Sequence, residues 1–180
     1  EVLREFAGGE HLTEDPRGHS GEWVVDFFGM SEQQARAYSE PYEWVREKVL
    51  PHRQRLLKKP KLQREWWLYE RNALNLRNAL RANDLSHVLA ITLTSKTLMP
   101  LRIASNILFS HSVGVFVTDS YCDQAVYSSA VHQLWATRHG SSLRNDARYT
   151  PSVVFGTLPR PHPTTRLSSI GMILDEERRE

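Results

Sequence analysis

The sequence predicts an α+β fold in which N-terminal helices are followed by a mostly antiparallel sheet with one long packed helix. Three observations lead there. Between Ser31 and Arg81 apolar residues recur at helical spacing. Between Val88 and Thr118 short β-branched runs alternate with polar breaks. From Cys122 to Arg138 an apolar stripe runs to a glycine stop at Gly140. At 180 residues the chain has the size of one domain with a real core. That domain is expected over residues 1–163, as a lead-in (1–22), a helical part (23–82) and a sheet-rich part (83–163), with a mobile tail over 164–180.

The first twenty residues, rich in Gly, His and acids, read as an extended lead-in. WVVDFF, Trp23–Phe28, is a β-rich run ended by Gly29 and reads as a strand. Ser31 and Gln34 have capping-box spacing, so each side chain can satisfy the other's backbone N–H at a helix start. A second helix begins near Pro41, where the missing N–H costs little. Tyr42, Val45 and Val49 form its apolar face, and Pro51 interrupts or kinks it. Asn72 stands as N-cap to a helix over Ala73–Arg81, with Ala73, Leu76 and Leu80 on one face, and Asn83-Asp84 makes a turn.

Val88–Thr94, Leu98–Ala104 and Ile107–Thr118 then read as neighbouring antiparallel strands, joined through Ser95–Thr97 and Ser105-Asn106. In the last run Val113, Val115 and Val117 alternate with Gly114 and Phe116, so both sheet faces are expected to be covered. Asp119 or Ser120 caps the long helix, whose stripe is Val126, Ala130 and Leu134 with Val131 and Trp135 beside it. A final strand over Val153–Leu158 precedes Pro159 and Pro161.

Composition is that of a soluble globular protein, 40% hydrophobic and 24% charged. No apolar run approaches a bilayer span, and EVLREFAGGEHLTED lacks signal-peptide architecture, so no membrane partner is expected. A start without methionine suggests an excised or processed chain. The lone Cys122 can form neither an internal disulfide nor a cysteine-rich zinc site, and a reducing cytoplasm is the simplest setting. The histidines offer no HExxH pair, and the chain has no GxSxG elbow and no phosphate-cradling glycine motif. His132, on one helix with Trp135, reads as a partly buried, hydrogen-bonded histidine and not as a ligand or base. No catalytic residue or metal site is assigned.

A net charge of +2 says little, but its distribution is uneven. PHRQRLLKKPKLQR, residues 51–64, carries Arg53, Arg55, Lys58, Lys59, Lys61 and Arg64 and no acid. A second set, Arg138, Arg144 and Arg148, flanks a polar loop after the long helix. Phosphate binding requires such local excess, whereas an isolated charge run is more often a solvated face. Trp66, Trp67 and Tyr69 directly follow the basic run. They either stack on unpaired bases or anchor the segment in the core, and the anchor is favoured because large aromatics are mostly buried.

The segment VYSSAVHQLWATRHGSSLRNDARYTPSVVFGTLPRP, Val126–Pro161, closes a longer pattern. Before it stand GEHLTEDPRGHSGEWVVDFFGMSEQQARAYSEPYEWVREKVLPHRQ (9–54), WWLYERNALNLRNALRANDL (66–85) and the run from LTSKTLMPLRIAS onward (93–161). Over roughly residues 9–163 the chain resembles the C-terminal target recognition region of large adenine-specific DNA methyltransferases, both type IIL/IIG restriction–modification enzymes and phage-defence methyltransferases. Leu158 departs from it, standing where an aromatic is expected before the proline. In that family a separate domain transfers a methyl group from S-adenosylmethionine to adenine N6, using a glycine-bearing cofactor loop and an NPPY or NPPF motif. This sequence has neither motif, and no PD-(D/E)xK nuclease motif. The resemblance therefore implies a reader without catalysis of its own: no cofactor in this chain, S-adenosylmethionine in the parent enzyme, and double-stranded DNA and the parent's methyltransferase domain as partners.

Within such a reader, phosphate contacts set register and base-edge contacts carry sequence information. The segment from Arg53 to Arg64 suits the first role. Ser95, Lys96 and Thr97 in one loop, and Ser141, Ser142, Arg144 and Asn145 in another, suit the second. Arg148, Tyr149 and Thr150 either join them or lock that loop to the body. The alternative is a protein-interaction module that tethers a methyltransferase to other defence components, its basic faces binding acidic partners. Only DNA binding should fall steeply with salt while keeping sequence preference.

Overall fold

A computed structural model describes residues 1–15, 17–18, 20–143 and 146–179. Among these it has nine helices and three small, mostly antiparallel sheets. The α+β class holds, but helices occur in both halves and not only at the N-terminus. The chain clusters into two units, Glu1–Glu5 with Trp23–Asn75, and Phe6–Glu22 with Leu76–Glu180.

In the first unit, Leu3, Arg4 and Glu5 of strand β1 (Leu3–Ala7) pair antiparallel with Val25, Val24 and Trp23 of β2 (Trp23–Val25). The strand expected to reach Phe28 stops at Val25. The Asp26 carboxylate accepts the Phe28 N–H at 3.2 Å and opens a turn that Gly29 completes at φ +77. Helix α2 (Glu32–Arg36) begins with the expected capping box: Ser31 Oγ accepts from the Gln34 N–H, and Gln34 Oε1 from the Ser31 N–H. Helix α3 (Ser39–Gln54) holds Pro41 in its first turn and continues through Pro51, which lies in its last turn. Helix α4 (Pro60–Arg64) starts on a proline.

Val2, Phe27, Ala35, Tyr42, Val45 and Trp66 form the core of this unit. Trp66 packs on Tyr42 at 5.5 Å between ring centroids, and the Trp67 indole N–H donates to the Met30 carbonyl at 3.0 Å. The two tryptophans anchor the basic segment as expected. Tyr69 is 46% exposed.

The second unit turns the expected extended lead-in into ordered structure. Phe6 and Ala7 of β1 run parallel to Leu108 and Phe109 of β6 (Leu108–Phe109), and α1 (His11–Glu14) follows. Helix α5 (Leu74–Asn83) starts later than expected because Ala73, at φ 49, is left-handed and cannot lie on its face; its Leu80 packs against the core. The central sheet has β3 (His87–Thr92) between β5 (Leu101–Ala104) and β7 (Val113–Phe116), antiparallel to both. Alternate β3 residues enter different clusters. Val88 and Ala90 join Leu12, Ile103 and Val113, while Leu89 and Ile91 join Leu98 and Phe116, so both faces are covered.

The expected strands are present but shorter. The first run breaks at Leu93, after which β4 (Thr94–Ser95) enters a different sheet. The third breaks at Ser110–Ser112, where the Ser110 hydroxyl takes the Ser112 N–H and the Ser112 hydroxyl takes the Gly9 N–H. These side chains offer the backbone an alternative to the ladder.

Three expectations for the C-terminal half are corrected. The long helix over Cys122–Arg138 is two helices, α6 (Tyr121–Tyr127) and α7 (Ala130–His139), each opened by a serine: Ser120 Oγ accepts from the Asp123 N–H and Ser129 Oγ from the His132 N–H. A serine favours a cap over a helix interior, so the chain breaks there. The apolar stripe consequently fails: Val131 and Leu134 are 63% and 70% exposed, while His132 and Ala136 face inward. The expected strand over Val153–Leu158 is helix α8 (Pro151–Thr157), with Pro151 in its first turn and Val154 and Leu158, one turn apart, buried together. Leu158, the departure from the family pattern, closes that helix inside the core.

Residues 164–180, read as a tail, contain α9 (Thr165–Glu177), which packs on α6 through Gly171. A methyl group there would lie 2.0 Å from the Tyr121 carbonyl oxygen, a backbone atom that cannot yield, whereas Gly156 of α8 faces open space. Gly171→Ala is expected to destabilise the protein by about 1–3 kcal/mol or more. Gly156→Ala should stabilise it by roughly 0.5–1 kcal/mol. Denaturant titrations of the two variants check the contrast.

Candidate nucleic-acid interface

The third sheet gathers candidate residues that are far apart in sequence. Its order is β4–β9–β8, with β8 spanning Ser141–Leu143 and β9 spanning Asp146–Arg148. Arg148 stands opposite Thr94 on one side and Ser141 on the other; Ala147 stands opposite Ser95 and Ser142. Arg144 and Asn145 lie outside the described residues.

Beside β4 opens a cleft of about 650 Å³, lined by Thr94, Ser95, Lys96 and Thr97 and also by Asp146 and Arg178. Lys96 and Thr97 are exposed. Their backbone is fixed: the Thr97 N–H donates to Ser95 Oγ, and Gln133 of α7 accepts the Leu98 N–H at 2.8 Å and donates to the Lys96 carbonyl. A loop held by its main chain leaves its side chains free to meet a ligand.

Tyr149 and its neighbours behave differently. Tyr149 is 2% exposed, and its N–H donates to the Leu93 carbonyl at 2.7 Å. Its hydroxyl lies 3.1 Å from Nε2 of the fully buried His132, whose Nδ1 is 2.6 Å from the Tyr127 carbonyl. A carbonyl can only accept, so Nδ1 carries the proton, and Nε2 accepts from Tyr149. Burial holds the His132 pKa below its ordinary value, and the imidazole is neutral. Of the two roles open to Tyr149, this is the geometry of a lock. Thr150 stands before α8, whose first turn its carbonyl receives. Arg148 is exposed.

The basic segment belongs to the first unit and is more mixed than its sequence. Lys59 pairs with Glu70 at 2.6 Å, Lys61 approaches Glu65 at 3.9 Å, and Arg53 donates to the Leu68 carbonyl. Arg55, Lys58 and Arg64 are exposed and have no ion pair among the described residues. The run lacks acids within itself, but the chain brings Glu65 and Glu70 back to it. Three of the six cations therefore remain uncommitted.

Asp146 and Arg178 went unmarked in the sequence. Arg178 lies in the charge-dense DEERRE end, where nothing local distinguishes it; its position in the cleft depends on α9 packing. Cys122 donates its thiol hydrogen to the Thr164 carbonyl at 3.4 Å, a structural role. Among the described residues no three His, Cys, Asp or Glu side chains gather as a metal site would need, and no helix is long and apolar enough to cross a membrane.

No protein-family model and no curated protein matches the chain. Among solved structures, its fold is similar to part of the type IIL restriction-modification enzyme MmeI in complex with DNA, with a TM-score of 0.64 and 19% sequence identity. The likeness covers 98% of this chain and 22% of that enzyme's chain, so the protein described here spans about a fifth of its length. The resemblance to type IIL enzymes seen in the sequence is thus met by a shared fold.

The lock generates a pH dependence. Folding depresses the His132 pKa, so the unfolded chain binds more protons once pH falls below 6.5. Stability is full above that value and declines as pH drops toward the folded pKa. His87, also depressed, chiefly by burial, adds the same sign. Urea titrations between pH 7 and 5 should show stability falling, and His132→Gln should flatten the slope to the share left by His87 and, toward pH 5, by the carboxylates that ion pairing depresses, Glu32, Glu47 and Glu70; an unchanged slope would remove His132 as a cause.

Proposed function

We propose that this chain is a sequence-specific duplex DNA recognition segment of an N6-adenine DNA methyltransferase of the restriction–modification or phage-defence kind, without catalytic groups of its own. One observation carries the reading: two polar segments distant in sequence meet in one small sheet beside an open cleft, on a fold shared with part of a DNA-bound restriction-modification enzyme. A rigid scaffold presenting polar loops is the arrangement that reads base edges.

In this reading Lys96, Ser95 and Thr97 present donors from the cleft and Asp146 an acceptor, the mixture that base edges require. Arg144 and Asn145, which stand between β8 and β9 in sequence, are proposed as further base contacts. Arg55, Lys58 and Arg64 supply phosphate contacts that do not depend on sequence. Methyl transfer, S-adenosylmethionine and the catalytic domain belong to the parent enzyme, acting in the cytoplasm. The tethering alternative, which the basic faces first raised, draws also on the exposed Val131 and Leu134 of α7 and Ile170 and Ile173 of α9, which suit a protein surface.

Two outcomes test the recognition reading in the full-length protein. Lys96→Ala should relax preference at one base pair by about 1–3 kcal/mol, read from selection on a randomised duplex library. Uniform loss over all sequences would make Lys96 a phosphate contact. Replacing Arg55, Lys58 and Arg64 together by glutamine should weaken binding to every duplex alike and flatten the salt dependence, by more than the same change at Lys59 and Lys61. Binding that ignores salt and sequence would favour the tether.

A further inference from the structure

Arg178 stands at the C-terminal cap of α9 and reaches the cleft that Ser95, Lys96 and Thr97 line. One guanidinium nitrogen donates to the Pro100 carbonyl at 2.7 Å and another to Ser128 Oγ at 3.5 Å. The nearby carboxylate, Asp175, is already engaged by Arg179 Nε at 3.1 Å and by Gln124 Nε2 at 3.2 Å. Arg178 is half-buried and has no ion pair among the described residues, and burial lowers its pKa.

Buried charges are normally paired, because desolvating an isolated cation is costly. A guanidinium carries several N–H donors in a rigid fork, and the carbonyl and hydroxyl engage only part of it. A fixed, partly desolvated cation with donors to spare on a cleft wall is built for an anion, and such a fork matches phosphate oxygens. Asp146, on the same cleft, can accept from a base amino group but repels phosphate, so the two side chains suit different parts of a nucleotide.

We infer that Arg178 is a phosphate contact, holding a phosphodiester of duplex DNA in this cleft and so fixing the register in which the Ser95–Thr97 loop meets base edges. This rests on the recognition role proposed above. Arg178 positions DNA and reads no sequence.

The test uses the full-length protein as wild type, Arg178→Gln and Arg178→Lys. The glutamine variant should bind cognate and non-cognate duplexes alike, roughly tenfold to hundredfold more weakly. Its slope of log affinity against log salt should be shallower by about 0.9. The lysine variant should recover most of the slope, and base preference should be unchanged in both. In a second measurement, inorganic pyrophosphate should protect Arg178 of the wild type from phenylglyoxal, read by mass spectrometry.

Relaxed preference at one base pair would overturn the inference by making Arg178 a reader, as would unaltered affinity and slope. If the glutamine variant fails to fold, the lysine variant and the protection decide: no recovered slope and no protection sink the proposal. Wild-type protein that binds no duplex ends the recognition reading and the DNA part of this one, while protection by pyrophosphate would still support the anion site.

Discussion

The second unit depends on a neutral imidazole with nowhere else to go. His132 lies fully buried between the Tyr127 carbonyl and the Tyr149 hydroxyl, and both ring nitrogens are satisfied only in the tautomer protonated at Nδ1. The two bonds join the end of α6, the start of α7 and the residue that follows β9. Tyr149 also donates its backbone N–H to Leu93, just before β4, so one short segment holds the β4–β9–β8 sheet to the helices. Around it Phe116 stacks on Tyr127 at 4.7 Å and meets Tyr149 edge-on at 6.0 Å. A hydrogen-bonded histidine among aromatics is directional in a way that apolar packing alone is not.

That constraint explains the helix break. An uninterrupted helix would continue the backbone ladder past Ser128 and Ser129. Instead Ser129 caps α7, and His132 in its first turn reaches back to the Tyr127 carbonyl at the end of α6. With His132 and Ala136 turned inward, Val131 and Leu134 must face outward. The same rearrangement lets Gln133 clamp the Ser95–Thr97 loop from α7. The break therefore sets the loop that lines the cleft.

Charge behaves in a parallel way. The run from Arg53 to Arg64 owes its basic character to what is absent from a window of sequence. Glu65 and Glu70 then approach Lys61 and Lys59 and leave a smaller set of exposed cations. Exposed pairs of this kind are worth little energetically, yet they compete with any phosphate for the same lysines. Arg178 is the converse: the stretch around it in sequence is mostly acidic, but α9 carries it to a cleft where no carboxylate of the described residues pairs with it.

Sequence alone determined what depends on near neighbours along the chain. The Ser31–Gln34 box, the Asn83-Asp84 turn, the β-branched runs of the central sheet, a hydrogen-bonded His132 and the anchoring Trp66 and Trp67 were all legible, because local backbone chemistry and side-chain size dictate them, whereas the complete burial of His132 was not. Tertiary structure decided the rest. Val153–Leu158 reads as a strand by propensity, but Pro151 opens a helix and the core takes Val154 and Leu158 one turn apart. Which face of α7 would turn inward, and that Ser95 would stand opposite Ala147, depend on partners well separated along the chain, Tyr149 for His132 and Ala147 for Ser95. No window of sequence contains those partners, so no local pattern could announce the cleft or place Arg178 in it.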